Sequence, residues 1–254
     1  MAWASLLLAL AAAVEVRYVA NAGMLVAVDG ARFLIDAPIR EGIAPYATSP
    51  APERARLESA AAPYDAVDAV LVTHWHEDHL SPEAVAAHLA ANPGAVLVSS
   101  PEVVERVRAV APRLSAPRLR AVLPAPGTST SVTVAGVPVR VLRIRHNDAR
   151  RFPEQHVGFL VGARATVLHV GDADPTAANF ALMRALPRVD VALLPFWYVL
   201  GAANRRLVEQ IAPRRVVGMH LPPADAAEVG ARLRAEAVEA VLATNPGQAL
   251  PLDQ

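Results

Sequence analysis

The sequence has no cysteine and no lysine. Without cysteine there is no disulfide, no thiol nucleophile and no thiolate ligand for zinc or an iron–sulfur cluster. The redox compartment stays open, because a cysteine-free chain folds in either environment. Without lysine, Schiff-base chemistry and a Walker-type phosphate loop are excluded. Net charge is absent too: 24 basic residues, all arginine, balance 24 acidic ones. That removes a broad basic footprint for nucleic acid. The missing lysine, beside many Ala, Pro and Arg, reads as codon bias rather than functional design. The apolar run Trp3 to Val14 is shorter than the about 20 residues that span a bilayer, so no stable membrane anchor is expected.

What is present is a chain of 254 residues, 54% of them hydrophobic, with eight histidines. It can bury a large core and is unlike a disordered segment. Residues 1–13 read as a signal peptide: Trp3 onward supplies the apolar stretch and Ala11-Ala12-Ala13 a small-residue cleavage site, although no basic residue follows Met1. That reading implies a periplasmic or secreted protein. The alternative is an apolar element packed on the core of a cytoplasmic one. Residues 14–254 show no repeat, linker or composition break and are expected to form one domain.

From Val14 the pattern is strand-like: Val14 to Val19 alternates, and Met24–Val28 and Arg32–Ile35 flank a hairpin turn at Asp29-Gly30. The Pro-rich stretch 44–52 reads as loop and 52–62 as a short helix. Strands and helices then roughly alternate. Ala66–Val72 is a buried strand. Ser81-Pro82-Glu83 opens a helix with a cap, a proline and a first-turn acid. Pro101 starts another, and 119–145 reads as β. Further strands are expected at 157–161, 166–170, 189–193 and 216–219, with helices at 176–186, 204–211 and 224–235. Such a mixture of meander and βα units implies α/β architecture, sheets covered by helices.

The densest chemistry is Thr73-His74-Trp75-His76-Glu77-Asp78-His79. Val70, Val72, His74 and His76 have period two, which predicts that both imidazoles leave one face of a strand at its C-terminal end. Asp78 and His79 follow before the Ser81 cap. Three imidazoles and a carboxylate thus converge, a set suited to zinc, iron or manganese.

The run His-x-His-x-Asp-His resembles the signature of the metallo-β-lactamase superfamily, matched by His74, His76, Asp78 and His79. His146 after Arg140–Arg145, Asp172 in Leu168-His169-Val170-Gly171-Asp172, and His220 after Val216–Met219 follow in the family's order. The strand Phe33-Leu34-Ile35-Asp36 is also similar, with Asp36 in a supporting role. The resemblance implies a four-layer αββα sandwich of two mixed β-sheets flanked by helices. It implies two divalent metal ions: one held by His74, His76 and His146, the other by Asp78, His79 and His220, with Asp172 between them. Zinc is the first expectation, with iron or manganese as alternatives. The activity implied is that of a metal-dependent hydrolase. A metal-bridging hydroxide would cleave a small-molecule ester, lactone, amide or phosphoester, with Asp78 as the catalytic carboxylate. Chain length and strand order look most like the compact, lactonase-like branch.

Rival readings accompany these. His156 competes with His146 for the third ligand. Asp174 neighbours Asp172. His169 reads as a hydrogen-bonded core histidine or a support for Asp172, and His88 as structural. Trp75, Phe196, Trp197 and Tyr198 read as pocket wall or core. Arg150 and Arg151 could hold an anionic group, and Asn21 could reach the site from the first turn. The functional alternatives are a non-catalytic metal- or ligand-binding protein of this fold, and a phosphodiesterase or nuclease of the same superfamily. The neutral charge and the short chain weigh against a nuclease, so the expected partner is a small-molecule substrate and not nucleic acid.

Overall fold

The computed structural model describes residues 14–147 and 155–252. The signal-peptide reading of 1–13 and the readings of Arg150 and Arg151 lie outside the described residues. Strands β1 (Glu15–Ala20), β2 (Gly23–Val28) and β3 (Ala31–Ile35) form an antiparallel meander. Strands β4 (Ala69–Val72), β5 (Val96–Ser99) and β6 (Leu119–Ala121) extend it in parallel, in the order β1-β2-β3-β4-β5-β6. The second sheet repeats the plan. Strands β7 (Ser129–Val134), β8 (Val137–Leu142), β9 (Gly158–Val161) and β10 (Val167–His169) are antiparallel. Strands β11 (Val191–Pro195), β12 (Arg215–Met219) and β13 (Val241–Leu242) follow in parallel, giving β13-β12-β11-β10-β9-β8-β7.

Local chemistry decides where each sheet changes from hairpins to parallel strands. Asp29-Gly30 and Ala135-Gly136 take positive φ at both positions, the geometry of two-residue hairpin turns. Parallel neighbours need a longer crossover. Helices α1 (Ala51–Glu58), α2 (Pro82–Ala91) and α3 (Pro101–Val110) supply it in the first sheet. Helices α4 (Ala177–Arg184), α5 (Ala202–Ile211) and α6 (Ala226–Ala235) supply it in the second. Ser81, Ser100 and Thr176 cap α2, α3 and α4 by accepting a backbone N–H from the first turn.

Side-chain parity then stacks the layers. Phe33, Ile35 and Leu71 of the first sheet meet Val139, Phe159, Val167 and Leu193 of the second in one central core. Leu34, Val70, Val72 and Leu97 face outward onto Leu57, Val85, Leu89 and Val104 of the first helical layer. Leu160, Leu168, Ala192 and Leu194 face Phe180, Met183 and Val208 of α4 and α5. Val229 and Leu233 of α6 close over Val199, Leu221 and Val216. Both sheets are therefore buried on both faces, and the fold is the expected αββα sandwich of two mixed sheets.

The element boundaries depart from the sequence reading at a few points. The helix expected over 52–62 ends at Glu58, because Ala60 takes a left-handed φ of 48° and the Ala61 N–H turns back to the Arg56 carbonyl. The β region expected over 119–145 is three strands separated by loops. The two-residue strand β13 had no legible pattern; its pairing with β12 makes it a strand. One feature places the site. β1 ends before Asn21, β3 before Asp36, β4 before the histidine run, β8 before His146, β10 before Asp172 and β12 before His220. All these strands run the same way within their sheets, so the polar residues gather at one edge of the sandwich.

Candidate metal centre

Strand β4 stops at Val72, and the histidine run lies in the loop and turn that follow. The expectation that His74 and His76 continue the face of Val70 and Val72 is corrected here. Val70 and Val72 face the helical layer, and Trp75 packs there as well, with the Arg106 guanidinium 4.4 Å from its ring centre. The side-chain phase therefore breaks between Val72 and His74. Thr73 breaks it: its N–H donates to Asp36 Oδ1 (2.7 Å) and its hydroxyl to Asp36 Oδ2 (2.6 Å). The two histidines still share a side, but that side faces the opposite sheet.

Asp36, wholly buried, organises more than Thr73. His79 Nδ1 lies 2.8 Å from Asp36 Oδ2 and donates to it. The Thr73 hydroxyl spends its proton on Asp36, so it accepts from His74 Nδ1 at 2.9 Å. Both rings thereby have Nδ1 fixed as a donor and Nε2 turned to the site as the nitrogen a cation would take. His74 Nε2 lies 2.8 Å from His76 Nδ1.

All seven residues singled out as metal ligands from the sequence are buried and meet here. They fall into two groups. His74, His76, His146 and Asp172 form one; Asp78, His79, Asp172 and His220 form the other. Within each, the ligand atoms lie within 4.8 Å of one another. Asp172 belongs to both. Its Oδ1 is 3.1 Å from His79 Nε2 and 3.2 Å from His220 Nε2, and its Oδ2 is 3.8 Å from His146 Nε2. Asp78 Oδ2 is 3.2 Å from His220 Nε2. Asp172 Oδ1, His79 Nε2 and His220 Nε2 are buried yet lack a hydrogen bond of normal geometry. Buried polar atoms without partners are costly. Convergent imidazole nitrogens and carboxylate oxygens are the donor set a divalent cation takes, so the residues fit a pair of cations sharing Asp172.

The backbone holds each group in place. Asn147 N–H donates to the Asp172 carbonyl, and His146 bridges to Ala173. Asn179 on α4 pairs its side-chain amide with both backbone groups of Arg145 at 2.8 Å. His220, at a left-handed φ of 56°, donates its N–H to the Asn21 carbonyl. Asn21 donates Nδ2 to the Asp78 carboxylate at 3.0 Å and to the Asp78 carbonyl at 3.1 Å. The reading that Asn21 reaches the site from the first turn is thus met by a direct contact.

The remaining candidates separate cleanly. His156 stands outside both groups: its Nε2 accepts the Asp172 N–H and its Nδ1 donates to the Ile144 carbonyl. His169 Nδ1 accepts the Gly171 N–H, and Nε2 donates to the Ala22 carbonyl. His88 bonds the Leu57 carbonyl and ties α2 to α1. Tyr198 is core, its hydroxyl on the Ala173 carbonyl. The half-buried Trp197 sets its ring 5.4 Å from that of His220, and Trp75 sets its own 5.1 Å from that of His76. Phe196 packs edge-on to Trp197. Tyr46, missed in the sequence because it sits in a Pro-rich loop without periodicity, presents its ring 4.1 Å from His220. Thr73 and Asn179 were also missed; their roles are set by partners 37 and 34 residues away.

Electrostatics divides the histidines. Burial, with the neighbouring imidazoles, holds His74 well below the usual imidazole range, and burial pushes His146 down to about 4. Burial alone would also lower His79 and His220. For His79, the charges of Asp172, Asp78 and Asp36 outweigh it and hold the ring well above the ordinary value. For His220, Asp172 and Asp78 carry it up to about 9. Asp172 is held well below the carboxylate range against its burial by His220 and His79. At neutral pH the metal-free protein therefore carries protons where cations would bind. Zinc loading of chelated protein at neutral pH is expected to release about two protons, read as a buffer-dependent heat in titration calorimetry. Equal heats in buffers of different ionisation enthalpy would contradict it. The stability that the raised His220 pKa gives the chelated form is full below about 6.5, the unfolded value. It is lost as pH rises through about 9.

The family described as "Beta-lactamase superfamily domain" matches residues 31–250. No curated protein matches the sequence. Among solved structures, Igni18, a metallo hydrolase from Ignicoccus hospitalis, is 21% identical over 93% of this chain and 97% of its own, with a TM-score of 0.62. The isothiocyanate hydrolase from Delia radicum gut bacteria is 14% identical over 93% and 98%, with a TM-score of 0.60. CmlA, a diiron β-hydroxylase from Streptomyces venezuelae, is 12% identical over 93% of this chain and 54% of its own, with a TM-score of 0.61. At such identities the structures share the fold; with the family match over most of the length, the chain belongs to the metallo-β-lactamase superfamily of metallo-hydrolases.

Proposed function

We propose that this protein is a metal-dependent hydrolase of a small molecule bearing an ester, lactone, amide or phosphoester bond. The observation that carries the reading is Asp172, one buried carboxylate shared by two groups that together hold five imidazoles and Asp78. His74, His76 and His146 would hold one divalent ion and Asp78, His79 and His220 the other, with Asp172 between them. Nitrogen and oxygen donors alone suit zinc first, and iron or manganese as well. Such a pair supplies Lewis acidity, which lowers the pKa of a water and polarises the bond under attack.

The protein's own groups do the rest. Asp78 Oδ2, oriented by Asn21 Nδ2, is the carboxylate placed to take a proton and return it to the leaving group. Asp36 and Thr73 fix the tautomers of His74 and His79. Tyr46 and Trp197 flank His220 and form an aromatic wall against which an apolar part of the substrate would lie. The neutral chain favours a small molecule over nucleic acid.

The test is metal quantification coupled to turnover of chromogenic esters, lactones, β-lactams and phosphodiesters. We expect two equivalents of transition metal per chain, and hydrolysis of at least one class that chelation abolishes and zinc restores. Purified protein that holds no transition metal after reconstitution would end the reading. Two bound ions without turnover of any class would favour the non-catalytic binding protein.

A further inference from the structure

Two histidines that belong to neither group grip the backbone on which Asp172 stands. The Gly171 N–H donates to His169 Nδ1 at 3.1 Å, and the next amide, Asp172 N–H, donates to His156 Nε2 at 3.1 Å. Each ring is anchored from its far nitrogen. His169 Nε2 reaches the Ala22 carbonyl at 2.8 Å, in the β1–β2 turn of the opposite sheet, and His156 Nδ1 reaches the Ile144 carbonyl at 3.2 Å, two residues before His146. Both rings are almost wholly buried. Two consecutive amides thus point at two imidazole acceptors rather than at carbonyls. The carbonyl acceptors at the far nitrogens, with the amide donors at the near ones, force one tautomer on each ring.

The turn itself leaves no slack. Gly171 has a φ of +53°, and a Cβ there would stand 2.6 Å from Thr73 Oγ1 and 2.8 Å from His156 Nε2. Its backbone is pressed between the Thr73 hydroxyl, which Asp36 holds, and the His156 ring. The anchors also tie the turn to both halves of the site. Ala22 adjoins Asn21, the residue that orients Asp78, and Ile144 precedes His146.

We propose that His156 and His169 are positioning residues that clamp the Gly171-Asp172 backbone, so that the single Asp172 carboxylate serves both cation groups at once. The inference rests on the two-metal reading above. Its consequence is specific: loss of an acceptor should uncouple the two ions, since Asp172 is the one side chain common to both groups.

The experiment uses the full chain and manganese(II), with binding followed by calorimetry and the spin coupling between ions by electron paramagnetic resonance. Gln places an acceptor oxygen near the position of histidine Nε2; Leu has similar bulk and no acceptor. We expect wild type to bind two coupled ions. H156L should bind the second ion about 10- to 100-fold more weakly and lose the coupling, the usual size of effect for a group that supports a ligand. H156Q should restore both. H169L and H169N form the matching pair at the other ring, since Asn offers an acceptor near the Nδ1 position. They decide the question if the His156 variants do not fold. Equal binding and coupling in the Leu and Gln variants would overturn the proposal. So would equal losses in both, which would make ring packing the cause. Fewer than two ions in wild type would instead overturn the two-metal reading.

Discussion

Asp78→Ala is expected to lower turnover by about a hundred- to ten-thousand-fold, the range for a positioned proton-transfer group, while the protein stays folded. The physical argument has two parts. Asp78 enters one cation group only, so its loss opens the Asp78–His79–His220 side and leaves His74, His76, His146 and Asp172 intact. Its carboxylate is also the one that Asn21 orients beside His220. The fold should tolerate the change, because Asp78 lies in a turn beyond β4 and contributes nothing to the two-sheet core. Asp78→Asn separates charge from shape. It keeps an oxygen for the Asn21 amide but can neither carry the negative charge nor exchange a proton in the same way, and it should be nearly as inactive. Steady-state rates on the substrate identified by the panel, with metal content and thermal melting measured on the same samples, check this. Near wild-type rates in either variant would remove Asp78 from the mechanism.

Asp36→Ala should be the most destabilising single change at the site. The Asp36 carboxylate accepts from the Thr73 N–H, the Thr73 hydroxyl and His79 Nδ1, and none of these donors has solvent to fall back on. Removing one partner of a buried ionic and hydrogen-bonded set costs about 3–5 kcal/mol. Asp36 also holds a left-handed φ of 48°, which Asp and Asn tolerate better than Ala. Asp36→Asn retains the backbone conformation and one acceptor oxygen but turns an N–H₂ toward two donors. It should fold better than the alanine variant, yet lose about 10- to 100-fold in metal affinity because the tautomers of His74 and His79 are no longer enforced. Chemical denaturation of the chelated proteins, followed by zinc titration, separates the two effects. An alanine variant as stable as wild type, or an asparagine variant with unchanged zinc affinity, would refute the role given to Asp36.

The parts of this site that were legible in the sequence share a physical basis. His74, His76, Asp78 and His79 stand within one short loop, so spacing alone put them together. His146, Asp172 and His220 each follow a strand whose apolar run is plain, and a strand end in an α/β sheet is where ligands are bound. The sequence favoured His146 over His156 on one difference, that His146 follows a strand and His156 begins one, but both lie at the same edge of the sheet and ring direction decides between them. The structure puts His146 into the group with His74, and His156 under the Asp172 backbone. The period-two argument for His74 and His76 gave the right pairing by a wrong route, since Thr73 ends the strand and resets the phase. Thr73, Asn179 and Tyr46 carried no signal at all, as their partners are distant in the chain.

By itself, then, the sequence pattern determined sheets covered by helices and the donor chemistry, and the four-layer order was what the family resemblance implied. Apolar runs mark the buried strands and helices, and the lack of cysteine removes thiolate from a metal's protein ligands. Only the tertiary structure decided which carboxylate is shared, which nitrogen of each ring faces the site, and which histidines support rather than join the set. Those choices turn on distances between 2.6 and 3.2 Å across two sheets. Hydrogen bonds and ligand geometry are directional and sensitive to tenths of an ångström, whereas hydrophobic burial is non-directional and scales with area.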